Sequence, residues 1–242
     1  MNHVSTISVA GNQLVQASGN GRFSETELYI GQNYLDNLYV RSKFEAEVHV
    51  LKAINSGQLH ATIFRVGILT GRYTDGQFQE NIATNAFYQK LKSLLELKAI
   101  PRDQLHQELE FTPVDACAKG IISIIKTNIW TGRVFHMFNH RKIEIKKVID
   151  ILHSQGTEIE LLDKVLFYQL IEQHGKNKPN NLLNGFVLDL TEEDQINSMF
   201  EIEILSNITQ NYLAQIGFEW PDVTTDYLNK VLGYMKRVGF LH

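Results

Sequence analysis

A tyrosine and a lysine four residues apart, Tyr39 and Lys43, constrain this chain more than any other feature of its sequence. A spacing of four places both side chains on one face of an α-helix, so the pattern predicts a helix through this segment. The lysine ammonium can lower the pKa of the phenol, which lets the phenol act as a general acid toward a carbonyl oxygen near neutral pH. The pair therefore predicts carbonyl chemistry as well as local structure.

Composition limits the class of protein to which the chain can belong. The 242 residues are 43% hydrophobic, enough for a core, and the net charge of −4 includes no basic block, so nothing predicts nucleic-acid binding. No apolar run reaches the roughly 18 residues of a membrane span, and the N-terminus lacks a signal-peptide pattern. The single cysteine, Cys117, reads as a core residue and suits a reducing compartment. We therefore expect a cytoplasmic protein without a membrane partner.

Apolar periodicity predicts strands separated by helices in the first part of the chain. The predicted strands are 4–9, 59–66 and 133–138, and the predicted helices are 35–56, 81–97 and 113–126. Helices of this length between strands favour right-handed crossovers and a parallel sheet, hence an α/β fold. From about residue 142 onward helical patterns dominate, at 145–154, 161–174, 205–216 and 224–238.

The Tyr-x-x-x-Lys pattern occurs twice, and its surroundings separate the two copies. Tyr39 follows a predicted strand that carries three hydroxyl-bearing residues, whereas Tyr88, which precedes Lys92 by four, lies inside a helix among apolar residues. We therefore interpret Tyr39 as the functional tyrosine and Tyr88 as a packing or surface residue.

Other catalytic constellations lack the residues that they need. His136 and His140 lie on or beside a predicted strand without a cysteine or acidic cluster nearby, so we expect no metal site. No Gly-x-Ser-x-Gly sequence is present to anchor a serine hydrolase triad. The glycine-rich fingerprint that holds a dinucleotide pyrophosphate is also absent from the sequence.

Four sequence blocks carry a resemblance to a known superfamily. They are Ser5-Thr-Ile-Ser-Val-Ala-Gly11, Tyr39-Val-Arg-Ser-Lys43-Phe-Glu-Ala-Glu47, Phe64-Arg-Val-Gly-Ile-Leu-Thr-Gly-Arg72 and Thr112-Pro-Val-Asp115. In order and spacing they resemble the extended short-chain dehydrogenase/reductases. The stretches 75–87 and 217–228 look most like the terminal thioester reductase domains of non-ribosomal peptide synthetases. The resemblance covers nearly all of this chain but only about the second half to two thirds of a family member.

This resemblance implies a division of the chain. Residues 1–141 would form the C-terminal part of a Rossmann-like parallel sheet that lacks its N-terminal dinucleotide-binding half. Residues 142–242 would form a mostly helical subdomain that binds the substrate and its carrier protein. The strand 4–9 would then lack one neighbour, and such an edge is a place where other chains pair. The missing half, in a longer chain or a separate polypeptide, or a second copy of this chain would cover that edge.

The resemblance also assigns roles to individual residues. Tyr39 matches the general acid, and Lys43 matches the residue that lowers its pKa and hydrogen-bonds the nicotinamide ribose. The family's catalytic hydroxyl lies five residues before the glycine that closes its strand motif, which selects Thr6. Its hydroxyl would donate a hydrogen bond to the carbonyl oxygen and stabilise developing negative charge. Ser5 and Ser8 rank lower because they face away from Thr6 or lie beyond it.

Three consecutive residues match the loop whose backbone approaches the nicotinamide end of the cofactor: Arg65, Val66 and Gly67. For the Arg65 side chain, a salt bridge at the strand end is an equal alternative. Residues 112–115 are interpreted as architectural, with a threonine that caps a helix, a proline that begins it and an aspartate in its first turn.

The implied activity is NADPH-dependent reduction of a thioester, held on the phosphopantetheine arm of a peptidyl or acyl carrier protein, to an aldehyde. A second reduction to the alcohol stays open, and we expect the chain alone to be inactive. An alternative is an extended short-chain epimerase or dehydratase of a nucleotide sugar, against which the stretch 75–87 argues. A second alternative is a non-catalytic docking and substrate-pocket module, which the absent glycine fingerprint favours.

Overall fold

A computed structural model describes residues 1–11, 14, 21–127, 132–177 and 202–241 of the chain. Within these residues the protein is α/β, as predicted. The strands are β1 (Asn2–Thr6), β2 (Arg22–Phe23), β3 (Thr62–Val66), β4 (Leu69–Thr70), β5 (Ala99–Pro101), β6 (Glu108–Leu109), β7 (Thr112–Pro113), β8 (Val134–Met137), β9 (Ile143–Glu144), β10 (Glu160–Leu162) and β11 (Glu203–Ile204). The helices are α1 (Leu38–Asn55), α2 (Ala86–Leu97), α3 (Val114–Lys126), α4 (Ile145–Ser154), α5 (Lys164–Asn177), α6 (Asn207–Gln215) and α7 (Thr225–Arg237).

The predicted helices are present, and their ends move by a few residues for local reasons. α1 begins three residues later than predicted because Asn37 is extended and its side chain accepts hydrogen bonds from two backbone amides of the first turn. The helix predicted over 81–97 begins as a short 3₁₀ turn, and α2 starts after Asn85, which caps it in the same way. Residues 112–113 form β7, so α3 starts at Val114 rather than at the proline before it.

Three parallel strands form the central sheet in the order β1–β3–β8, which confirms the prediction of a parallel sheet. In register, Ser5 lies opposite Arg65, and Arg65 lies opposite His136. This polar row crosses one face of the sheet because side chains alternate along a strand. On the same face Ile63 packs against α1, whereas Phe64 belongs to the core on the other face.

The first compact unit comprises the described residues within 1–69, 115–139 and 195–221. Its main core contains Phe64, Phe135, Cys117 and Trp220, all buried. Cys117 is thus the core residue that the sequence predicted. Trp220 belongs to this core although it lies near the end of the chain, because the segment that carries it packs with the central sheet.

The second compact unit comprises the described residues within 70–114, 140–194 and 222–242. Tyr227 of α7 donates a hydrogen bond to the carbonyl of Gly71 at 2.7 Å, and the Gly71 amide donates to the hydroxyl of Tyr88 at 2.7 Å. Such contacts join the end of the chain to residues near position 70. Both units are therefore assembled from separated stretches, whereas the sequence predicted one boundary between 141 and 142. The division of function between residues 1–141 and 142–242 stays a prediction.

No helix within the described residues combines the length and the apolar character needed to cross a bilayer. The longest of them, α1, carries charged side chains on several of its turns.

Gly76 and Gly57 form a matched pair for testing the packing of the second unit. Both have φ of +73°, a conformation that favours glycine. A Cβ at Gly76 would lie 2.2 Å from the carbonyl oxygen of Lys230, whereas a Cβ at Gly57 would meet no atom within 4 Å. We predict that Gly57→Ala lowers the free energy of unfolding by about 1 kcal/mol and Gly76→Ala by about 3 kcal/mol or more. Urea denaturation measures both, and equal losses would contradict the close approach at Gly76.

Candidate functional site

Tyr39 and Lys43 lie on successive turns of α1, as the sequence predicted. Tyr39 is in the first turn and is 55% exposed, while Lys43 is half-buried. The Lys43 ammonium donates a hydrogen bond to the carbonyl oxygen of Val4 at 3.4 Å. Lys43 is therefore held beside β1, the strand that ends at Thr6.

Thr6 is buried at the end of β1, and its hydroxyl already has a partner. Oγ1 donates to the hydroxyl of Ser8 at 3.2 Å and accepts a hydrogen bond from the Ser8 amide at 3.2 Å. These bonds start a 3₁₀ turn, Ile7–Ala10, so the strand predicted over 4–9 ends at Thr6. A hydroxyl can rotate about its C–O bond, so the donor hydrogen of Thr6 can be redirected from Ser8 to another acceptor.

The structure brings Lys43 next to the strand of Thr6, with Tyr39 one helical turn away. Val4 and Thr6 are two residues apart on an extended strand, a separation of about 7 Å. Four residues of α-helix separate Tyr39 from Lys43, a rise of about 6 Å. Convergence of the phenol, the ammonium and the threonine hydroxyl on one point stays a prediction.

Arg65 is at the centre of the sheet, and its side chain is fully buried. Its guanidinium donates to both carboxylate oxygens of Glu47, with N–O distances of 2.8 to 3.1 Å. On its other side Nη1 lies 3.0 Å from Nε2 of His136. Of the two alternatives for this side chain, the salt bridge is the one observed. The guanidinium is therefore occupied, and any cofactor contact in this segment falls to the backbone.

Glu47 and His136 are site residues that the sequence interpretation missed. Glu47 follows Lys43 by four residues, as Lys43 follows Tyr39, so a signal for a shared helix face was present. No comparable signal marks His136, because its contact with Arg65 depends on the pairing of β3 with β8.

His136 is held as a neutral imidazole. Nδ1 lies 2.6 Å from the carbonyl oxygen of Leu205 and donates to it, which leaves Nε2 as the acceptor for Arg65. Burial, and then the neighbouring Arg65 charge, lower the pKa of His136 to about 3. The Phe23 ring stacks on the imidazole at 5.6 Å, and the Arg65 guanidinium lies 4.7 Å from the centre of the same ring.

Val66 and Gly67 continue β3 toward the end of the sheet at which Thr6 lies. Val66 is buried, and Gly67 is half-buried. The Gly67 amide donates to the carbonyl of Met137 at 3.1 Å, so the sheet already uses that donor. A cofactor contact by this pair stays a prediction.

The second Tyr-x-x-x-Lys match is structural, as predicted. Tyr88 is fully buried, and burial raises the pKa of its phenol, the opposite of what a general acid near neutral pH requires. The ammonium of Lys92 pairs with Glu96 at 3.6 Å and lies 4.6 Å from the centre of the Phe240 ring.

In the part of the chain that the structure describes, no three His, Cys, Asp or Glu side chains lie close enough together to hold a metal ion.

A family profile described as Male sterility protein, an NAD-binding family, matches residues 1–121, half of the chain. The chain belongs to this family. The match includes Thr6, Tyr39, Lys43 and the segment from Arg65 to Gly67. It confirms the resemblance to extended short-chain dehydrogenase/reductases.

Individual relatives confirm the resemblance to terminal reductase domains. One polypeptide of the linear gramicidin synthase of Brevibacillus parabrevis is 23% identical over 90% of this chain and 4% of its own length. A thiolation-reductase di-domain from an archaeal non-ribosomal peptide synthetase is 33% identical, with a TM-score of 0.83. The reductase domain of the Aureusimine biosynthetic cluster is 26% identical, with a TM-score of 0.77. These two matches cover 100% and 98% of this chain, whereas this chain spans only 49% and 60% of the length of the two matched chains.

Glu47 and Glu45, both on α1, allow a matched test of the buried ion pair. Glu47 pairs with Arg65 in the interior, whereas Glu45 pairs with Arg41 at 2.8 Å on the surface. We predict that Glu47→Gln lowers the free energy of unfolding by about 3–5 kcal/mol, because it leaves the Arg65 charge buried without a counter-ion. Glu45→Gln should cost less than about 0.5 kcal/mol. Urea denaturation measures the free energy of unfolding of both variants. Similar losses in the two would contradict the greater importance of the buried pair for stability.

Stability should fall below neutral pH because His136 is neutral in the folded protein. Its pKa of about 3 lies below the unfolded value of about 6.5, so between these values the unfolded chain binds a proton that the folded chain does not. The stabilisation is complete above pH 6.5 and is lost as the pH falls toward 3. From pH 7 to pH 5 we expect a loss of about 2 kcal/mol from this group. Denaturation of His136→Gln should show a smaller difference in the free energy of unfolding between pH 7 and pH 5 than wild type does. An equal difference in the two proteins would refute this prediction.

Proposed function

We propose that this chain carries the catalytic residues of an NADPH-dependent reductase that releases an acyl or peptidyl chain in non-ribosomal peptide synthesis. The substrate would be a thioester on the phosphopantetheine arm of a carrier protein, and the product an aldehyde, with a second reduction to the alcohol open. The contact between Lys43 and the Val4 carbonyl carries this proposal, because it holds Lys43 beside the strand of Thr6. The similarity to reductase domains of peptide synthetases supports it.

The proposed chemistry divides among three side chains. The exposed phenol of Tyr39 would give its proton to the substrate oxygen, and the Thr6 hydroxyl would donate a hydrogen bond to the same oxygen. Lys43 has three N–H donors, of which the Val4 carbonyl takes one. The others remain for the phenol and for a ribose hydroxyl.

The residues present fit the nicotinamide end of a dinucleotide. Tyr39 is exposed and Lys43 only half-buried, so both can be reached, whereas the Arg65 side chain cannot contribute. When bound, the nicotinamide supplies the hydride. The preference for NADPH over NADH rests on the resemblance to the reductases.

The outer edge of β1 is the proposed place for further chain to pair. Within the described residues β1 is bonded to β3 on one side only, and Val4 is half exposed. A parallel strand from a nucleotide-binding half, or a second copy of this chain, would satisfy that edge. The carrier protein is the other proposed partner.

Removing the hydroxyls of Thr6 and Tyr39 one at a time tests the catalytic assignment. Thr6→Ala and Tyr39→Phe should each lower the rate of thioester reduction by roughly 100-fold or more, because each removes a group that acts on the carbonyl oxygen. The assay follows NADPH oxidation and aldehyde formation from an acyl-pantetheine thioester, in the complete polypeptide that includes this chain.

Two control variants should keep the wild-type rate. Ser5→Ala removes a buried hydroxyl that has no hydrogen-bond partner in the described part of the chain, one residue before Thr6. Tyr88→Phe removes the phenol of the second Tyr-x-x-x-Lys pair. If the Thr6 and Tyr39 variants behave like these controls, the assignment is wrong.

The chain by itself should bind NADPH weakly, because its sequence holds no glycine-rich pyrophosphate site. Calorimetric titration of the chain with NADPH measures this directly. Micromolar binding would contradict this expectation of weak binding. Oxidation of NADPH by the chain alone would exclude the non-catalytic alternative.

A further inference from the structure

Helix α1 is attached to the sheet by two charged side chains one turn apart. Lys43 reaches the Val4 carbonyl on β1, and Glu47 reaches Arg65 on β3. Tyr39 lies one turn further toward the N-terminus of the same helix. A spacing of four residues puts the three side chains on one side of the helix, with a small rotation at each turn. The way in which α1 is held at Glu47 therefore affects where Lys43 and Tyr39 lie relative to β1.

The Glu47–Arg65 contact restricts α1 more than an ordinary ion pair would. Both side chains are fully buried, and the guanidinium meets both carboxylate oxygens. Such a planar, bidentate contact restricts the relative orientation of the guanidinium and the carboxylate as well as the distance between them. Buried ion pairs are weak sources of net stability, because desolvation offsets most of the attraction. For this bidentate pair we therefore expect the effect on geometry to be larger than the net contribution to stability.

The guanidinium is itself fixed from the opposite side. His136 accepts from Arg65 Nη1 at 3.0 Å, and the Leu205 carbonyl fixes the ring by accepting from Nδ1 at 2.6 Å. The Phe23 ring lies against both the imidazole and the guanidinium. Arg65 therefore has little freedom to follow α1 if the helix moves.

From this chain of contacts we propose that Glu47, Arg65 and His136 are positioning residues, which fix the rotation and the height of α1 so that Lys43 and Tyr39 face the end of β1. The proposal rests on the function proposed above for Tyr39 and Lys43, and it adds a structural requirement to the roles assigned to those two residues. A displacement of about 1 Å in a reacting group can cost on the order of 100-fold in rate, so such a support has kinetic consequences.

The decisive variant replaces both charges at once. Glu47→Leu combined with Arg65→Met removes the ion pair without leaving a buried charge unpaired, and such replacements are often neutral or stabilising. A control combines Arg41→Gln with Glu45→Gln, which removes the exposed ion pair of the same helix. If the buried pair served stability alone, the folded Glu47→Leu/Arg65→Met variant would show the same Lys43 signal and the same kcat as wild type.

The first readout needs no catalytic activity. Lysines of the chain are methylated with ¹³C-formaldehyde, and the Lys43 signal is assigned by its loss in Lys43→Arg. We expect this signal to shift or broaden in Glu47→Leu/Arg65→Met and to stay unchanged in the Arg41/Glu45 control. An unchanged Lys43 signal in the folded double variant overturns the proposal.

The second readout is kinetic, in the complete polypeptide. We expect kcat for thioester reduction to fall at least about 10-fold in the double variant, with little change in KM for the thioester, because the reacting groups are displaced while the acyl site is intact. An unchanged kcat overturns the proposal. If wild type reduces no thioester, the proposed function fails, and the Lys43 signal still decides the positioning role.

A second pair of variants covers the case in which the double variant does not fold. His136→Gln keeps an acceptor for Arg65 and a donor for the Leu205 carbonyl, whereas His136→Leu keeps neither. We expect the glutamine variant to retain the wild-type Lys43 signal and most of kcat, and the leucine variant to lose both. Equal behaviour of the two variants contradicts the proposal.

Discussion

The buried ion pair between Glu47 and Arg65 is the interaction on which the rest of this site depends. Charges are tolerated in a protein interior only when they are paired and hydrogen-bonded, so α1 can lie on the sheet only in an orientation that keeps Glu47 on Arg65. Lys43 then reaches β1, and Tyr39 is presented near the start of the helix. One electrostatic requirement inside the fold thus determines where the exposed Tyr39 and the half-buried Lys43 lie.

The two faces of the central sheet serve different purposes. On one face Ser5, Arg65 and His136 form a polar row, and the hydrogen bonds of Arg65 and His136 are directional, so they specify orientation. On the other face Phe64 stacks on Phe135 within an apolar core, which supplies burial without directional preference. Because strand neighbours alternate in direction, a single strand such as β3 contributes to both.

Much of the local structure could be predicted because it depends on neighbours in sequence. The helix through Tyr39 and Lys43 follows from periodicity, and the parallel sheet follows from strands alternating with helices. The ends of helices and strands were harder to predict, because single side chains determine them. Asn37 caps α1, so the helix begins three residues later than predicted, and the Thr6 hydroxyl ends β1 by capping a 3₁₀ turn. The family resemblance implies a catalytic role for the same hydroxyl, and that role stays a prediction.

The shared face of Tyr39 and Lys43, the α/β class and the family blocks could all be recognised without a structure, because they are patterns of spacing along a chain. The contacts of Arg65 with Glu47 and with His136, 71 residues away, became apparent only in the folded structure. Only it showed Trp220 in the core of the first unit, and two units that each draw on separated stretches. Periodicity records which face of an element is buried, whereas the partner across that face is chosen by three-dimensional packing.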